Sequence, residues 1–551
     1  DGYSLDTPLY SPTEEPQLEA TSLDTAGGDL GRSTEDLLEF TGSDEHTATD
    51  GLFDLLEFGV DVQAASEESS IGPSAYEEQF LPHGYVFAYV SSLGTGLSTG
   101  CPTAGGPDEI AALKAVVDWL NRRATAYRTP AGKTTAKAPW TDGTTGMLGK
   151  SYNGTLATGV ATTGVDGLET IVPISAISSW YNYYRSEGAV INPTSAPAAT
   201  QRGRGQAMDA DVIAESVLTR DDADVCDPVI DRLTQRQDRP SGEYNDFWEA
   251  RDYRRDVENM AASVLLAHGV DDHNVKPRNA SALAAELYEH DVPHKIWLTQ
   301  GGHTDPRFLH EQQWFDELNQ WFAHWLLGVD NGIMDGDRAT VQRRDSSGPL
   351  QTYADWPDPG AEAVELNFAP GGRKTGGLRL ENSDETSVQE TLVDSPRLSQ
   401  PKLAGAPRAK YRLRYLTESL QESIRLSGTV QPTLRLSFDS GKALVTAVLV
   451  DYAPEDSPAL VSQGWVDPQN NESLRESEAL EPGKKYDLEF PLQATDHVFE
   501  AGHRLGIMVH SSDYNTTKRP PHNPELTLHL DESSVELPVV GGRSALESAV
   551  R

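Results

Sequence analysis

At 551 residues the chain exceeds what one compact core accommodates and calls for two or three domains. A formal charge of −40 argues against nucleic acid as a partner, because phosphate binding needs clustered Lys and Arg. No apolar run approaches the roughly 18–20 residues of a membrane span, so no membrane partner is expected either.

The 32 Arg against 13 Lys suit a GC-rich or salt-adapted source. The chain begins at Asp1 with neither a basic nor an apolar leader region, as in a mature or trimmed protein. A secreted or extracellular location is the expectation, with the cytoplasm as the alternative. Only two cysteines occur, Cys101 and Cys226, outside any metal-ligand spacing. A disulfide between them suits export; two buried thiols are the other reading.

Residues 1–80 hold 20 Asp or Glu and one basic residue, Arg32, so they carry nearly half the net charge. Dense like charge predicts a poorly packed segment, although Phe53-Asp54-Leu55-Leu56-Glu57-Phe58 and the stretch 71–80 hold enough apolar residues to dock. From about residue 84 to 330 apolar strands alternate with helical stretches, as in an open α/β sheet. Strands are predicted at 85–90, 145–148, 168–174, 263–268 and 295–299, and helices at 108–123, 152–163, 279–288 and 308–327. Residues 176–262, rich in aromatics, Asp and Arg, interrupt the alternation as a helical cap insertion. After about residue 335 short strands separated by Gly, Pro, Asn and Asp predict an all-β sandwich or jelly roll. The expected domains are thus 1–80, 81–334 and 335–551.

The chemistry concentrates around Gly146-Met147-Leu148-Gly149-Lys150-Ser151-Tyr152-Asn153-Gly154-Thr155. A short strand enters a small-x-Ser-x turn and a helix follows, which is the setting of a nucleophile elbow. Asp271 and Asp272 follow one later strand and His303 follows the next, giving the order Ser, acid, His of an α/β-hydrolase triad. In that reading Ser151 attacks a carbonyl, His303 moves the proton and an aspartate holds the imidazole. Gly301-Gly302 would let the backbone bring His303 over the serine.

Other patterns carry no site. Gly149-Lys150-Ser151 resembles the end of a phosphate loop, but the required first glycine falls at Thr144. Gly94 to Gly100 lacks the dinucleotide spacing, Pro293 breaks the His290/His294 pair, and Asp271 to Asn274 lacks calcium-loop spacing. No cofactor and no metal are expected.

The runs Ser92-Leu93-Gly94-Thr95-Gly96, Gly100-Cys101-Pro102-Thr103, Gly149 to Leu156, Ser178 to Arg185, His268 to Lys276 and Gln300-Gly301-Gly302-His303 closely resemble the Xaa-Pro dipeptidyl-peptidases. That group of serine peptidases also includes cocaine esterase and the α-amino-acid ester hydrolases. The likeness is strong over residues 80–330 and looser over 335–551, where Phe499-Glu500-Ala501-Gly502-His503-Arg504-Leu505 matches a C-terminal segment.

The resemblance implies an α/β-hydrolase with a C-terminal jelly roll that packs on it and narrows the cleft. It places the nucleophile at Ser151, the histidine at His303 and the acid at Asp272, because Asp271 occupies the family's Asn position. The Tyr152 N–H would be one oxyanion donor. The family's second donor is a tyrosine of a Ser-Pro-Tyr segment, where Ser11-Pro12-Thr13 is the nearest match and carries threonine; Ser91 also stands where an acid is common.

The implied substrate is a peptide with proline at its second position. Trp180, Tyr181 and Tyr184 are candidates for the wall of the proline pocket. Glu187, Asp209 and Asp211 are candidates to hold the free α-amine. An ester hydrolase with the same triad, a catalytically impaired binding homologue and a homo-oligomer stay open.

Overall fold

The computed structural model describes residues 75–129, 132–191, 209–343, 348–381, 387–395, 397–514 and 516–551. The acidic segment therefore lies outside the described residues up to residue 74. Its last six residues are not poorly packed: helix α1 (Ala75–Phe80) buries Tyr76 and Phe80. Tyr76 meets Phe315 edge-on, and Phe80 meets Phe322 in the same way.

The first half is built on a six-stranded sheet. In chain order its elements are α2 (Pro107–Leu120), β1 (Thr145–Lys150), α3 (Tyr152–Ala161), β2 (Leu168–Ile174), β3 (Ser263–Gly269), α4 (Arg278–Glu289), β4 (His294–Thr299), α5 (Arg307–Leu327), β5 (Ala339–Gln342) and β6 (Leu350–Tyr353). The strands lie side by side in sequence order. The first five are parallel and β6 returns antiparallel to β5. Parallel pairing needs a crossover between neighbours, and the alternation of apolar strands with amphipathic helices supplies it. One face packs on α5 and α1 through Trp297, Trp314, Leu318 and Trp321. The other packs on α2, α3 and the 175–262 insertion through Leu156, Val160, Ile171, Val264 and Leu266.

Two sequence expectations change here. Among the described residues the stretch 85–90 pairs with no strand; Tyr85 meets Phe80 edge-on, and Phe87 packs against the same cluster. Alternating apolar residues supply strand propensity, but a strand exists only where a partner lies beside it. The domain border moves as well. The short strands β5 and β6, beyond residue 334, complete the first sheet rather than opening the all-β half. In isolation such segments look alike, and only register decides which sheet they join.

From Ala361 onward the chain forms a β-rich domain whose thirteen strands share one hydrogen-bonded network. Its core is aliphatic and aromatic, including Leu426, Leu434, Leu449, Phe490, Phe499, Ile507 and Leu537. Strands Gln431–Phe438, Val445–Tyr452, Lys485–Glu489, Arg504–His510 and Glu525–His529 fall where short strands are predicted. The two halves are joined by hydrogen bonds, not only apposed. Gln300 Nε2 donates to the Asp496 carbonyl (3.0 Å) and the Arg278 N–H to Gln493 Oε1 (3.0 Å). The Ser186 hydroxyl donates to the Trp465 carbonyl (2.8 Å).

The insertion between β2 and β3 holds short helices at Trp180–Tyr184, Ala210–Ser216, Asp227–Arg236 and Asp246–Glu249. Cys226, at its edge, forms a disulfide with Cys101 in the loop before α2, with Cα atoms 5.4 Å apart. The bridge closes 125 residues of chain and ties the insertion to the sheet. Replacing both cysteines by serine is expected to lower unfolding free energy by about 2–5 kcal/mol, read as an earlier urea transition with unchanged far-UV circular dichroism at zero denaturant.

Candidate active site

The serine comes first because its backbone is unusual. Ser151 sits between β1 and α3 with φ 59° and ψ −124°, a strained conformation for a residue with a side chain. Hydrogen bonds hold it there: its N–H donates to the Ile174 carbonyl (2.8 Å) and its own carbonyl accepts from the Thr155 N–H (2.9 Å). The turn is too tight for larger neighbours. A Cβ at Gly154 would stand 2.4 Å from the Gly149 carbonyl, and one at Gly149 would stand 2.7 Å from the backbone of Asn153. Tyr152 opens α3, so its N–H belongs to the helical turn that lacks intrahelical acceptors.

The Tyr152 side chain is anchored as firmly as its backbone. Its hydroxyl donates to Glu109 Oε2 (2.7 Å) and accepts from the Gly105 N–H (3.0 Å). Glu109, fully buried on α2, also accepts from the N–H groups of Thr103 and Gly105. Burial pushes its carboxyl above the usual range, opposed by these hydrogen bonds and by Arg251. The Arg251 guanidinium in turn donates to the carbonyls of Thr103, Ala104 and Phe247. Sequence reading passed over Glu109 and Arg251. Glu109 is a charge among apolar positions of α2, a pattern common on solvated faces too, and Arg251 follows a short helix in a turn.

Asp272 and His303 lie at the same end of the sheet, on the loops after β3 and β4. His303 Nδ1 is 2.8 Å from Asp272 Oδ2, and the second carboxylate oxygen accepts from the N–H groups of Asn274 and Val275 (2.9 Å each). Burial alone would raise the Asp272 carboxyl, but His303, His268 and the Asn274 N–H together hold it below the usual carboxylate range. Nε2 of His303 is buried and makes no hydrogen bond among the described residues. The two loops touch over Gly269, where a Cβ would stand 2.2 Å from the Gly301 carbonyl. Gly301 is crowded as well, since a Cβ there would stand 2.9 Å from Leu309 Cδ1. Asp271 points outward and pairs with His273 (3.3 Å), which separates the two neighbouring acids physically.

The other named residues fall elsewhere. Trp180, Tyr181 and Tyr184 are at most 2% exposed, and their rings pack within the core of the insertion. Trp180 Nε1 donates to the Tyr253 hydroxyl (3.2 Å), and the Tyr181 hydroxyl donates to the Gly242 carbonyl (2.9 Å). The candidate amine anchors are already engaged. Glu187 accepts from Arg278 Nη1 (2.5 Å). Asp209 is clasped by Arg185 (3.0 Å) and Arg239 (2.8 Å), and Asp211 accepts from the Thr234 hydroxyl (2.7 Å). Their charge or lone pairs serve the insertion, so none is a free anion facing the triad residues. The Ser11-Pro12-Thr13 segment lies outside the described residues. Among the described residues no group of His, Cys, Asp and Glu is arranged to hold a metal, and no helix is long and apolar enough to cross a membrane.

Asp272 has a pH signature. A carboxyl held low in the folded state adds stability that is fully present above its unfolded value, about pH 4, and is lost as pH falls through its lower folded value. Asp272→Asn removes that contribution. The gap in unfolding free energy between wild type and Asp272→Asn is therefore expected to narrow by about 1 kcal/mol or more between pH 6 and pH 3, measured by urea unfolding.

Comparison with known proteins agrees with this architecture. Residues 32–305 match the model of the X-Pro dipeptidyl-peptidase (S15 family), and residues 331–545 match that of the X-Pro dipeptidyl-peptidase C-terminal non-catalytic domain. An Xaa-Pro dipeptidyl-peptidase homologue of Bacillus anthracis is 40% identical over 496 residues, covering 89% of this chain and 80% of its own. The Xaa-Pro dipeptidyl-peptidase of Lacticaseibacillus casei is 30% identical over 523 residues, covering 86% and 64%. In fold, an α-amino acid ester hydrolase superposes with a TM-score of 0.65 at 17% identity, over 87% of this chain and 91% of its own. A CocE/NonD family hydrolase from Staphylococcus aureus gives 0.66 at 14%, over 87% and 85%. With an α/β-hydrolase-like first domain and a large β-rich second one, the chain belongs to the X-Pro dipeptidyl-peptidase (S15) family of serine peptidases.

Proposed function

We propose that the protein releases Xaa-Pro dipeptides from peptide N-termini through Ser151, His303 and Asp272. The observation that carries the reading is the buried pair at 2.8 Å between His303 Nδ1 and Asp272, with Nε2 left to take a proton, at the sheet end that also holds the elbow serine. A carboxylate on Nδ1 fixes the tautomer in which Nε2 is the basic nitrogen. Nε2 then removes the Ser151 proton as Oγ attacks the carbonyl after the second residue. The Tyr152 N–H faces the developing oxyanion. His303 returns the proton to the departing amine, leaving an acyl-enzyme. Water repeats the sequence, with its proton again passing through Nε2, and frees the dipeptide and the serine.

Family membership supports proline at the second position. The rings of Trp180, Tyr181 and Tyr184 are packed in the core and the candidate acids are engaged, so proline and the α-amine are read by other residues. The Cys101–Cys226 bridge supports an oxidising, extracellular setting for this activity.

The test is turnover of Gly-Pro and Ala-Pro chromogenic amides beside a simple acyl ester. Wild type is expected to cleave the amides, and Ser151→Ala to lower kcat by about 10⁴–10⁶-fold. Ester turnover without amide cleavage would place the protein among ester hydrolases. Silence on both, with no fluorophosphonate labelling of Ser151, would make it an impaired binding homologue.

A further inference from the structure

Lys276 is a buried cation that the proposed chemistry does not use. Its side chain is on the loop that follows Asp272, and the residue is only 6% exposed. Among the described residues no carboxylate forms an ion pair with it. Its ammonium instead donates to two carbonyls, those of Tyr183 and Asn274 (3.2 Å each), and lies 5.4 Å from the centre of the Tyr183 ring. The Tyr183 hydroxyl completes a clasp by donating to Asn274 Oδ1 (2.6 Å). One tyrosine of the insertion thus grips the loop at both its backbone and its side chain.

That loop is the one that shapes the Asp272 carboxylate. Val275 is held from both sides: its N–H donates to Asp272, and its carbonyl accepts from His268 Nε2 (2.7 Å). Lys276 follows directly. The titratable groups facing it are Asp272, His273 and the Tyr183 hydroxyl, and Asp272 faces His303 and His268. A cation near Asp272 stabilises the carboxylate but weakens the pull of that carboxylate on a proton at His303. Burial lowers the Lys276 ammonium to about 8, and the Asp272 carboxylate opposes that fall.

We propose that Lys276 is a positioning residue for the acid–base pair, pinning the Asp272 turn against Tyr183 and setting a positive charge behind the carboxylate that holds His303. The inference rests on the triad reading for its meaning in catalysis. Its physical content is a property of His303 that can be read without turnover.

The measurement is an NMR titration of the His303 Cε1–H signal, identified by its loss in His303→Asn, in wild type, Lys276→Met, Lys276→Gln and Lys276→Arg. Removing the charge is expected to raise the His303 midpoint by about half a pH unit or more in the Met and Gln variants, while Arg leaves it in place. The acid limb of kcat/KM should move upward by the same amount, with a smaller change on the plateau. Gln retains a donor for the two carbonyls, so it reports the charge even if Met disturbs folding. An unmoved midpoint in folded Gln or Met protein overturns the proposal. So does an equal shift in Arg, because shape rather than charge would then be responsible. Amide cleavage that survives Ser151→Ala would instead sink the catalytic reading and leave the His303 shift standing.

Discussion

A carboxylate survives burial only when hydrogen bonds and opposite charge replace its lost hydration, and Asp272 meets that condition within a few residues of chain. Two N–H groups of its own turn satisfy one oxygen and His303 satisfies the other. The arrangement exists because the loops after β3 and β4 can close over Gly269. Without that approach the imidazole would not meet the acid, and Asp272 Oδ2 would lose its hydrogen bond to His303.

The serine depends on a different constraint. Its positive φ is held by the pairing of β1 with β2 and by the first turn of α3, with glycine on both sides of the contact. The Tyr152–Glu109–Gly105 hydrogen bonds then tie the elbow to the loop that carries Cys101. The disulfide carries the connection into the insertion, and Tyr183 returns it to the Asp272 turn. Nucleophile, insertion and acid loop are therefore tied to their neighbours by buried hydrogen bonds and one disulfide.

Residue type by itself does not separate a pocket wall from a core. Aromatic residues near a cleft can line a pocket or fill a core, and acids can bind an amine or pair with arginine. Trp180 and Tyr181 fill a core, and Asp209 pairs with Arg185 and Arg239. The difference lies in partners distant in sequence: Tyr253 and Gly242 for the aromatics, Arg239 for the acid.

The residue pattern alone established the alternation of strands and helices, the elbow at Ser151 and the order serine, acid, histidine, because these depend on local spacing and short-range turn chemistry. It also bounded the β-rich second half through its Gly- and Pro-separated strands. Tertiary structure decided the rest. It drew the strands beyond residue 334 into the first sheet. It turned Asp271 outward while burying Asp272, and it placed Lys276 beside the acid turn. Contacts such as β5 with β4 and Lys276 with Tyr183 join groups far apart in the chain, and sequence spacing carries no information about which distant partner a backbone or side chain will meet.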